Sequence, residues 1–292
     1  MDKSLKKNIS KLALGTAQFG MDYGIANLRG RIRQEEIDEI LAFANKSGIQ
    51  TLDTAQTYGC SEAAIGAYFA LNPDDYWQIV TKVSPDFGDL ADSLGQSEER
   101  LTVRPHALLA HSADLFLQAD FQSQIQIIRS QRLVDAVGVS LYTESEIEQV
   151  LKAEYRPDIV QLPVNILDTR LYHSGILREI SEQGIELHAR SVFLQGFFYL
   201  SKAELERRFP DVCPVIEQLR SIASEAGLQL PELSLLWLMS RQEISKVIVG
   251  VDSLVQLKSH LGTLKKEITC QVFEAALAVR FENSKILNPS NW

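Results

Sequence analysis

Cysteine is scarce in this sequence, and it has no long apolar run. The 292 residues contain three cysteines, Cys60, Cys213 and Cys270. They lie far apart and form no Cys-x-x-Cys pair, which argues against a disulfide framework or a zinc ribbon. No apolar run reaches the length of a membrane span, and the N-terminal MDKSLKKNIS lacks the apolar segment of a signal peptide. These absences favour a cytoplasmic protein without a membrane partner.

Basic residues are also in the minority. Lys and Arg number 29 and Asp and Glu number 38, so the formal net charge is −9. Nucleic acids and anionic membranes both require clustered Lys and Arg, so neither is an expected partner. His106 and His111 are five residues apart on one predicted strand and therefore lie on opposite faces. The other histidines show no ligand spacing, and no metal is predicted.

The chain does contain a repeat in which short apolar strands alternate with helices. A capping box at Thr143 and Glu146 predicts the start of one helix, and Gly48 the end of another. Strand–helix alternation with continuous apolar runs predicts a (β/α)8 TIM barrel with eight parallel strands, formed as one domain over residues 1–292. The eight predicted strands are residues 11–14, 51–53, 78–82, 106–111, 136–140, 158–162, 185–190 and 246–250.

Polar residues recur at the carboxyl ends of these predicted strands. Asp53, Lys82, His111 and Ser140 follow one another at intervals of 29 residues, and Gln161 and Arg190 are again 29 apart. The carboxyl ends of the strands form the face of a TIM barrel that carries the active site. A carboxylate, an ammonium group and an imidazole at three consecutive strand ends therefore indicate a catalytic site.

Four of the polar side chains suit the reduction of a carbonyl group. Lys82 at a partly dry barrel mouth needs a counter-ion, which Asp53 on the adjacent strand can supply. An ammonium group beside a phenol stabilises the phenolate, so Tyr58 can give or take a proton. His111 can hydrogen-bond to a carbonyl oxygen and polarise it. This set contains neither a nucleophile nor a metal and predicts hydride transfer to an aldehyde or ketone, with the hydride coming from a cofactor.

The same residues resemble the aldo-keto reductase family almost from end to end. The resemblance includes Asp53, the Tyr58–Gly59 turn, Lys82 in VTK and His111 in LLAH. It also includes the segments LGTAQFG, VGVS, VQLPVN, RSVFLQG and VIVGVDSLVQL. It implies that Tyr58 is the general acid/base, that Asp53 and Lys82 tune it, and that His111 orients the carbonyl. It further implies NADP(H) or NAD(H) as cofactor, a small-molecule carbonyl substrate, and a monomer or homodimer. A sugar or another polar carbonyl compound is one candidate for that substrate.

The resemblance also implies where each ligand binds. Ser140 and Gln161 would hold the nicotinamide carboxamide, Ser191, Phe193 and Gly196 would border the pyrophosphate, and the loop after the eighth strand would hold the adenosine end. The complete expected cofactor set is Thr16, Asp53, Ser140, Gln161, Arg190, Ser191, Phe193, Gly196, Gly250, Asp252, Ser253 and Gln256. The expected substrate pocket comprises Phe19, Tyr23, Tyr58 and His111. The C-terminal tail with Trp292 would close over the mouth.

Several positions depart from the family pattern. Leu141 replaces a common asparagine, Arg190 replaces the aromatic residue that stacks on the nicotinamide, and His260 stands where many relatives have asparagine. Asp252 would repel a 2′-phosphate but accept hydrogen bonds from a ribose diol, so the choice between NADP and NAD stays open. The residues before Lys11 leave room for one strand of the family's N-terminal hairpin.

Two other functions remain compatible with these residues. Lys82 at a strand end could form a Schiff base in a lyase of the class I aldolase type. Alternatively, the barrel could bind nicotinamide without catalysis and report redox state to a partner protein. A lysine must be neutral to attack a carbonyl, and the nearby Asp53 carboxylate would keep Lys82 charged, which argues against the lyase.

Overall fold

Eight parallel strands pair in chain order, and the last strand pairs with the first to close a barrel. The computed structural model describes residues 3–289. The predicted (β/α)8 barrel is confirmed, whereas its extent as a single domain stays a prediction. The strands are β1 Leu12–Gly15, β2 Thr51–Asp53, β3 Gln78–Val83, β4 Ala107–Ala110, β5 Ala136–Ser140, β6 Ile159–Pro163, β7 Glu186–Arg190 and β8 Lys246–Gly250.

Helices connect the strands and cover the outside of the barrel. Among residues 3–289, no helix is long and apolar enough to span a membrane. The α-helices are α1 Lys3–Lys11, α2 Ala17–Gly20, α3 Gln34–Ser47, α4 Ser61–Leu71, α5 Leu90–Leu101, α6 Ala113–Phe116, α7 Ala119–Ser130, α8 Glu144–Leu151, α9 Arg170–His173, α10 Ile176–Glu182, α11 Lys202–Arg208, α12 Cys213–Glu225, α13 Leu230–Ser240, α14 Leu254–Thr263, α15 Cys270–Ala278 and α16 Ser284–Leu287, and a 3-10 helix spans Leu194–Tyr199.

The two faces of each strand bury different side chains. The outward residues pack against the helices in one large apolar core, which includes Leu108 and Ala110 of β4. The inward residues Val80, Ala107, Leu109 and Ile159 form a separate small cluster inside the barrel. Side chains alternate along a strand, so a residue two positions after an inward one also points inward. This alternation places Lys82, His111 and Gln161 directly above the apolar floor of the barrel.

The N-terminal segment is a helix, so the expectation of a strand there is wrong. Helix α1 spans Lys3–Lys11. Its apolar residues Leu5 and Ile9 are four apart, which is helix spacing, and Ile9 is buried in the core. At the end of α1, the Lys11 ammonium donates to the carbonyls of Leu238 and Met239 at the end of α13. A cation there compensates the negative end of the helix dipole.

Both helix boundaries that the sequence marks are present. The Thr143 hydroxyl accepts from the Glu146 backbone N–H, and the Glu146 carboxylate accepts from the Thr143 N–H at the start of α8. Gly48 ends α3 with a φ of 99°, which favours glycine because it has no Cβ. Strand ends differ from the prediction by about one residue. Strand β3 continues to Val83, and His111 directly follows β4.

Candidate active site

A cavity of about 360 Å³ opens at the carboxyl ends of the strands. Residues from the barrel interior form its floor, and the loops after β1, β2, β5, β7 and β8 form its walls. Asp53, Tyr58, Lys82 and His111 all line it. The sequence places these four residues on separate segments, and the closed barrel brings them to one site.

Asp53 and Lys82 form a buried ion pair at the floor. The Lys82 ammonium donates to one Asp53 carboxylate oxygen at 2.8 Å and to the Thr54 carbonyl at 2.9 Å. The Gln161 amide donates to the other Asp53 oxygen at 2.7 Å. Lys82 is 1% exposed. Burial lowers the pKa of Lys82, but the Asp53 carboxylate and the Tyr58 phenol outweigh it, and the pKa is raised overall. Lys82 is therefore a fixed cation at neutral pH.

Tyr58 lies directly above this cation. The Lys82 nitrogen is 5.0 Å from the centre of the Tyr58 ring. The His111 ring meets the Tyr58 ring edge to face, with centroids 6.1 Å apart. Burial, followed by the positive charges of Lys82 and Arg190, lowers the pKa of His111 to about 4. The imidazole is thus neutral at pH 7, and it can orient a carbonyl oxygen by hydrogen bonding.

Ser140 and Gln161 form a second polar group on the cavity wall. They are partners in the register of β5 and β6. The Ser140 hydroxyl accepts a hydrogen bond from the Arg190 Nε at 3.2 Å, so its own hydrogen is free to donate. The Gln161 Oε1 is buried and has no hydrogen-bond partner among residues 3–289. A free donor beside an unpaired acceptor is complementary to a primary amide.

Comparison with known proteins identifies the family. Residues 11–279 match the Aldo/keto reductase family. The chain belongs to this family. The protein is therefore an oxidoreductase, and membership of this family implies a small-molecule carbonyl substrate.

Two solved structures share the fold of the reductase. One is the aldo-keto reductase AKR11C1 of Bacillus halodurans in its holo form, which is 18% identical with a TM-score of 0.74. That comparison covers 92% of this chain and 91% of the other. The other is PA4992 of Pseudomonas aeruginosa, a protein assigned to the aldo-keto reductases, at 20% identity and a TM-score of 0.63. This second comparison covers 87% of this chain and 89% of the Pseudomonas protein. At identities of 18% and 20%, these two comparisons show a shared fold.

Most of the site residues predicted from the sequence line the cavity of the reductase. Beside the four catalytic candidates, they are Thr16, Tyr23, Ser140, Gln161, Arg190, Ser191, Phe193, Gly196, Gly250, Asp252 and Gln256. The structure does not bring Phe19 and Ser253 to the cavity wall. Phe19 in α2 packs into the core at 1% exposure. The Ser253 hydroxyl caps α14 by accepting from the Gln256 N–H.

The loop of residues 21–33 supplies wall residues that the sequence reading missed. Asn27 of this loop lines the cavity together with Gln18, Tyr142, Gln195 and Tyr199. The Ile25 N–H donates to the Gln195 carbonyl, and Arg29 Nη1 donates to the Asp252 carbonyl. Gln18 lies inside the LGTAQFG segment and Tyr142 two residues after Ser140, so proximity could have indicated both. Asn27 also donates within the loop to the Tyr23 and Gly30 carbonyls, but the two bonds that hold the loop at the cavity reach residues 170 or more positions away and leave no local signal.

A second, smaller cavity of about 110 Å³ shares Tyr199 with the first. His260 lines it and stacks on Phe193 with ring centroids 4.8 Å apart. The His260 Nε2 is buried without a hydrogen-bond partner in the described part of the chain. Burial lowers the pKa of His260 to about 4, so the ring is neutral and can accept or donate according to its tautomer.

The C-terminal tail reaches the cavity at Pro289, which lines it. The predicted closure by Trp292 lies outside the described residues. The part of the chain that the structure describes holds no group of three His, Cys, Asp or Glu side chains placed to bind a metal ion.

Two glycines fix the loop that carries Tyr58. Gly20 ends α2 and lies against the backbone of residues 58–61, where the Cys60 N–H donates to the Gly20 carbonyl. A Cβ at Gly20 would lie 1.7 Å from the Tyr58 carbonyl oxygen. A Cβ at Gly59 would likewise collide with the Gly20 carbonyl oxygen, and the φ of Gly59 is 56°. The second glycine of LGTAQFG therefore positions the tyrosine.

We expect Gly20→Ala to displace the Tyr58 loop. Overpacking of this kind costs about 1–3 kcal/mol of the free energy of unfolding. Activity should fall along with stability, because the phenol leaves its place above Lys82. Chemical denaturation and initial-rate assays measure the two effects. Gly95→Ala in α5 is the control, since a Cβ there meets nothing within 4 Å. Wild-type stability in Gly20→Ala would contradict the close contact.

Proposed function

We propose that this reductase uses NADPH or NADH to reduce an aldehyde or ketone, with Tyr58 as the proton donor. The observation that carries the proposal is the fixed Lys82 ammonium beneath the Tyr58 ring, paired with Asp53. A phenol above a permanent cation can release its proton, because the phenolate that remains is stabilised. General acid catalysis of this kind typically contributes about 10²–10⁴-fold in rate.

The polar groups of the cavity suit a nicotinamide dinucleotide. The unpaired Gln161 Oε1 would accept from the carboxamide N–H, and the Ser140 hydroxyl would donate to its oxygen. The adenosine end would extend past Gln256 towards the cavity at His260. When bound, the reduced nicotinamide supplies the hydride that no side chain can provide.

His111 and Tyr58 would bind the substrate oxygen together. The His111 Nδ1 lies 3.3 Å from the Thr57 hydroxyl. When Thr57 donates to Nδ1, Nε2 carries the hydrogen and can donate to the carbonyl oxygen. Tyr58 then transfers its proton to the same oxygen as the alcohol forms. The phenolate interacts with Lys82 until solvent returns a proton.

Lys82 is poorly suited to the Schiff-base alternative. A lysine attacks a carbonyl in its neutral form, whereas the Asp53 carboxylate holds the Lys82 pKa above its ordinary value. The ammonium also donates to two oxygen atoms at 2.8 and 2.9 Å. Borohydride in the presence of substrate should therefore trap no adduct on Lys82.

A direct assay tests the proposed function. Purified protein is incubated with NADPH or NADH and a panel of aldehydes, ketones and sugars, and absorbance reports cofactor oxidation. We expect turnover with at least one polar carbonyl compound. Tight cofactor binding without turnover across the panel would favour the non-catalytic alternative. Absence of binding to either cofactor would contradict the proposal.

Asp252 gives an expectation about the cofactor. Its carboxylate lines the cavity and accepts from Gln256 Nε2 at 3.3 Å. A carboxylate at the ribose end accepts hydrogen bonds from a free diol and repels a 2′-phosphate. We expect calorimetric titration to show tighter binding of NADH than of NADPH. Asp252→Asn should strengthen NADPH binding about tenfold, which corresponds to about 1.4 kcal/mol. Stronger NADPH binding by the wild type would contradict this role.

A further inference from the structure

Arg190 is a fixed cation beside the pair that would hold the carboxamide. It ends β7, half-buried, and is in register with Pro163 of β6. Its Nε donates to the Ser140 hydroxyl at 3.2 Å, Nη1 to the Ser191 hydroxyl and Nη2 to the Leu141 carbonyl, both at 3.3 Å. Its guanidinium stacks on the Tyr142 ring, 4.1 Å from the ring centre. These four contacts hold the charge in one place.

No carboxylate among residues 3–289 forms an ion pair with this guanidinium. Two acidic residues of the described chain line the cavity: Asp53 is paired with Lys82, and the Asp252 carboxylate accepts from Gln256. His111 is neutral at pH 7 because burial and nearby cations lower its pKa. Because no carboxylate neutralises it, the positive charge of Arg190 would act on a ligand group bound beside Ser140.

The geometry points to Arg190 as the residue that selects the redox state of the bound cofactor, favouring the reduced nicotinamide over the oxidised one. This inference rests on the proposed function. The oxidised pyridinium ring carries a positive charge and the reduced dihydropyridine ring carries none. A ring whose carboxamide is held at Ser140 lies beside a guanidinium that contacts the same hydroxyl. Like charges at short range in a partly dry site repel each other, so only the oxidised form is penalised.

Selection of this kind favours reduction over oxidation. When both cofactor forms are present, the protein is loaded mainly with the reduced one. After turnover the oxidised form leaves readily and does not block the site. An uncharged aromatic side chain at the same place would attract the pyridinium ring through its π face and have the opposite effect.

Equilibrium titration of both redox forms measures the selection. The probes are NADH and NAD⁺, and NADPH and NADP⁺, titrated against wild type, Arg190→Gln, Arg190→Met and Arg190→Lys. We expect wild type to bind the reduced form at least tenfold more tightly. Arg190→Gln and Arg190→Met should reduce the ratio of the two dissociation constants about tenfold, mainly by strengthening binding of the oxidised form. Arg190→Lys is the matched control and should keep the ratio within about threefold, because it retains the charge.

The ratio of the dissociation constants of the oxidised and reduced forms separates this role from a purely structural one. If Arg190 only holds Ser140 in place, its removal weakens both forms equally and leaves the ratio unchanged, which would overturn the inference. A ratio near one in the wild type would overturn it as well. If neither form binds to the wild type, the proposed function itself fails, and the inference fails with it. Thermal unfolding of each variant confirms that the protein titrated is folded.

Discussion

Replacement of Tyr58 by phenylalanine should lower kcat by about 10²–10⁴-fold, the usual contribution of a positioned general acid. The substitution removes one hydroxyl and keeps the ring, which contacts His111 edge to face and lies over Lys82. The fold and the cofactor site should therefore be unchanged. Stopped-flow measurement of a single turnover shows whether the chemical step has slowed. Calorimetric titration shows whether the cofactor still binds with wild-type affinity.

Tyr23 offers the matched control for this experiment. It lines the same cavity, and burial, followed by the nearby Tyr58, raises the pKa of its phenol. A phenol with a raised pKa is a poor proton donor at pH 7, so Tyr23→Phe should retain kcat within about tenfold. Full activity in Tyr58→Phe would overturn the assigned mechanism. A similar loss in both variants would mean that the cavity needs phenol hydroxyls for shape or solvation and has no single donor.

The positions of the candidate catalytic side chains could be predicted because strand geometry is regular. Side chains alternate along a strand, and the carboxyl ends of parallel strands in a barrel meet at one face. Lys82, His111 and Gln161 each stand two residues after an inward apolar residue, so the strands alone set their direction. The same logic correctly indicated the capping residues Thr143 and Gly48, since both depend on backbone conformation within a single turn.

The errors occur where tertiary packing decides the outcome. Phe19 is an aromatic residue near a strand end, but the short helix α2 turns it into the core. The first residues form helix α1, which docks on the end of α13 more than two hundred residues away in sequence. The bonds from loop 21–33 to Gln195 and Asp252 also join residues that are far apart in sequence. No local pattern carries information about such contacts.

Removal of the Lys82 charge should cost both stability and activity. In Lys82→Met the Asp53 carboxylate stays buried without a cationic partner, and loss of one member of a buried pair costs about 3–5 kcal/mol. The folded pKa of Lys82 lies above the unfolded value, so the stabilisation is complete below the unfolded value and is lost only when pH rises through the folded one. Chemical denaturation should therefore show that the free energy of unfolding of Lys82→Met falls below that of the wild type by the same amount throughout about pH 6 to 9.

The double variant Asp53→Asn/Lys82→Met separates the structural role of the pair from its catalytic role. Replacing both partners removes the unpaired buried charge, so much of the lost stability should return. Activity should stay low, because the cation beneath Tyr58 is still absent.

Glu62 is a second control, since it is buried, pairs with Arg100 at 2.7 Å, accepts from the Thr81 hydroxyl and is not among the described residues that line the cavity. Glu62→Ala should therefore lower stability and leave kcat close to wild type. If the double variant regained activity along with stability, the ion pair would serve only to hold the barrel mouth together, and the ammonium would have no part in activating the phenol.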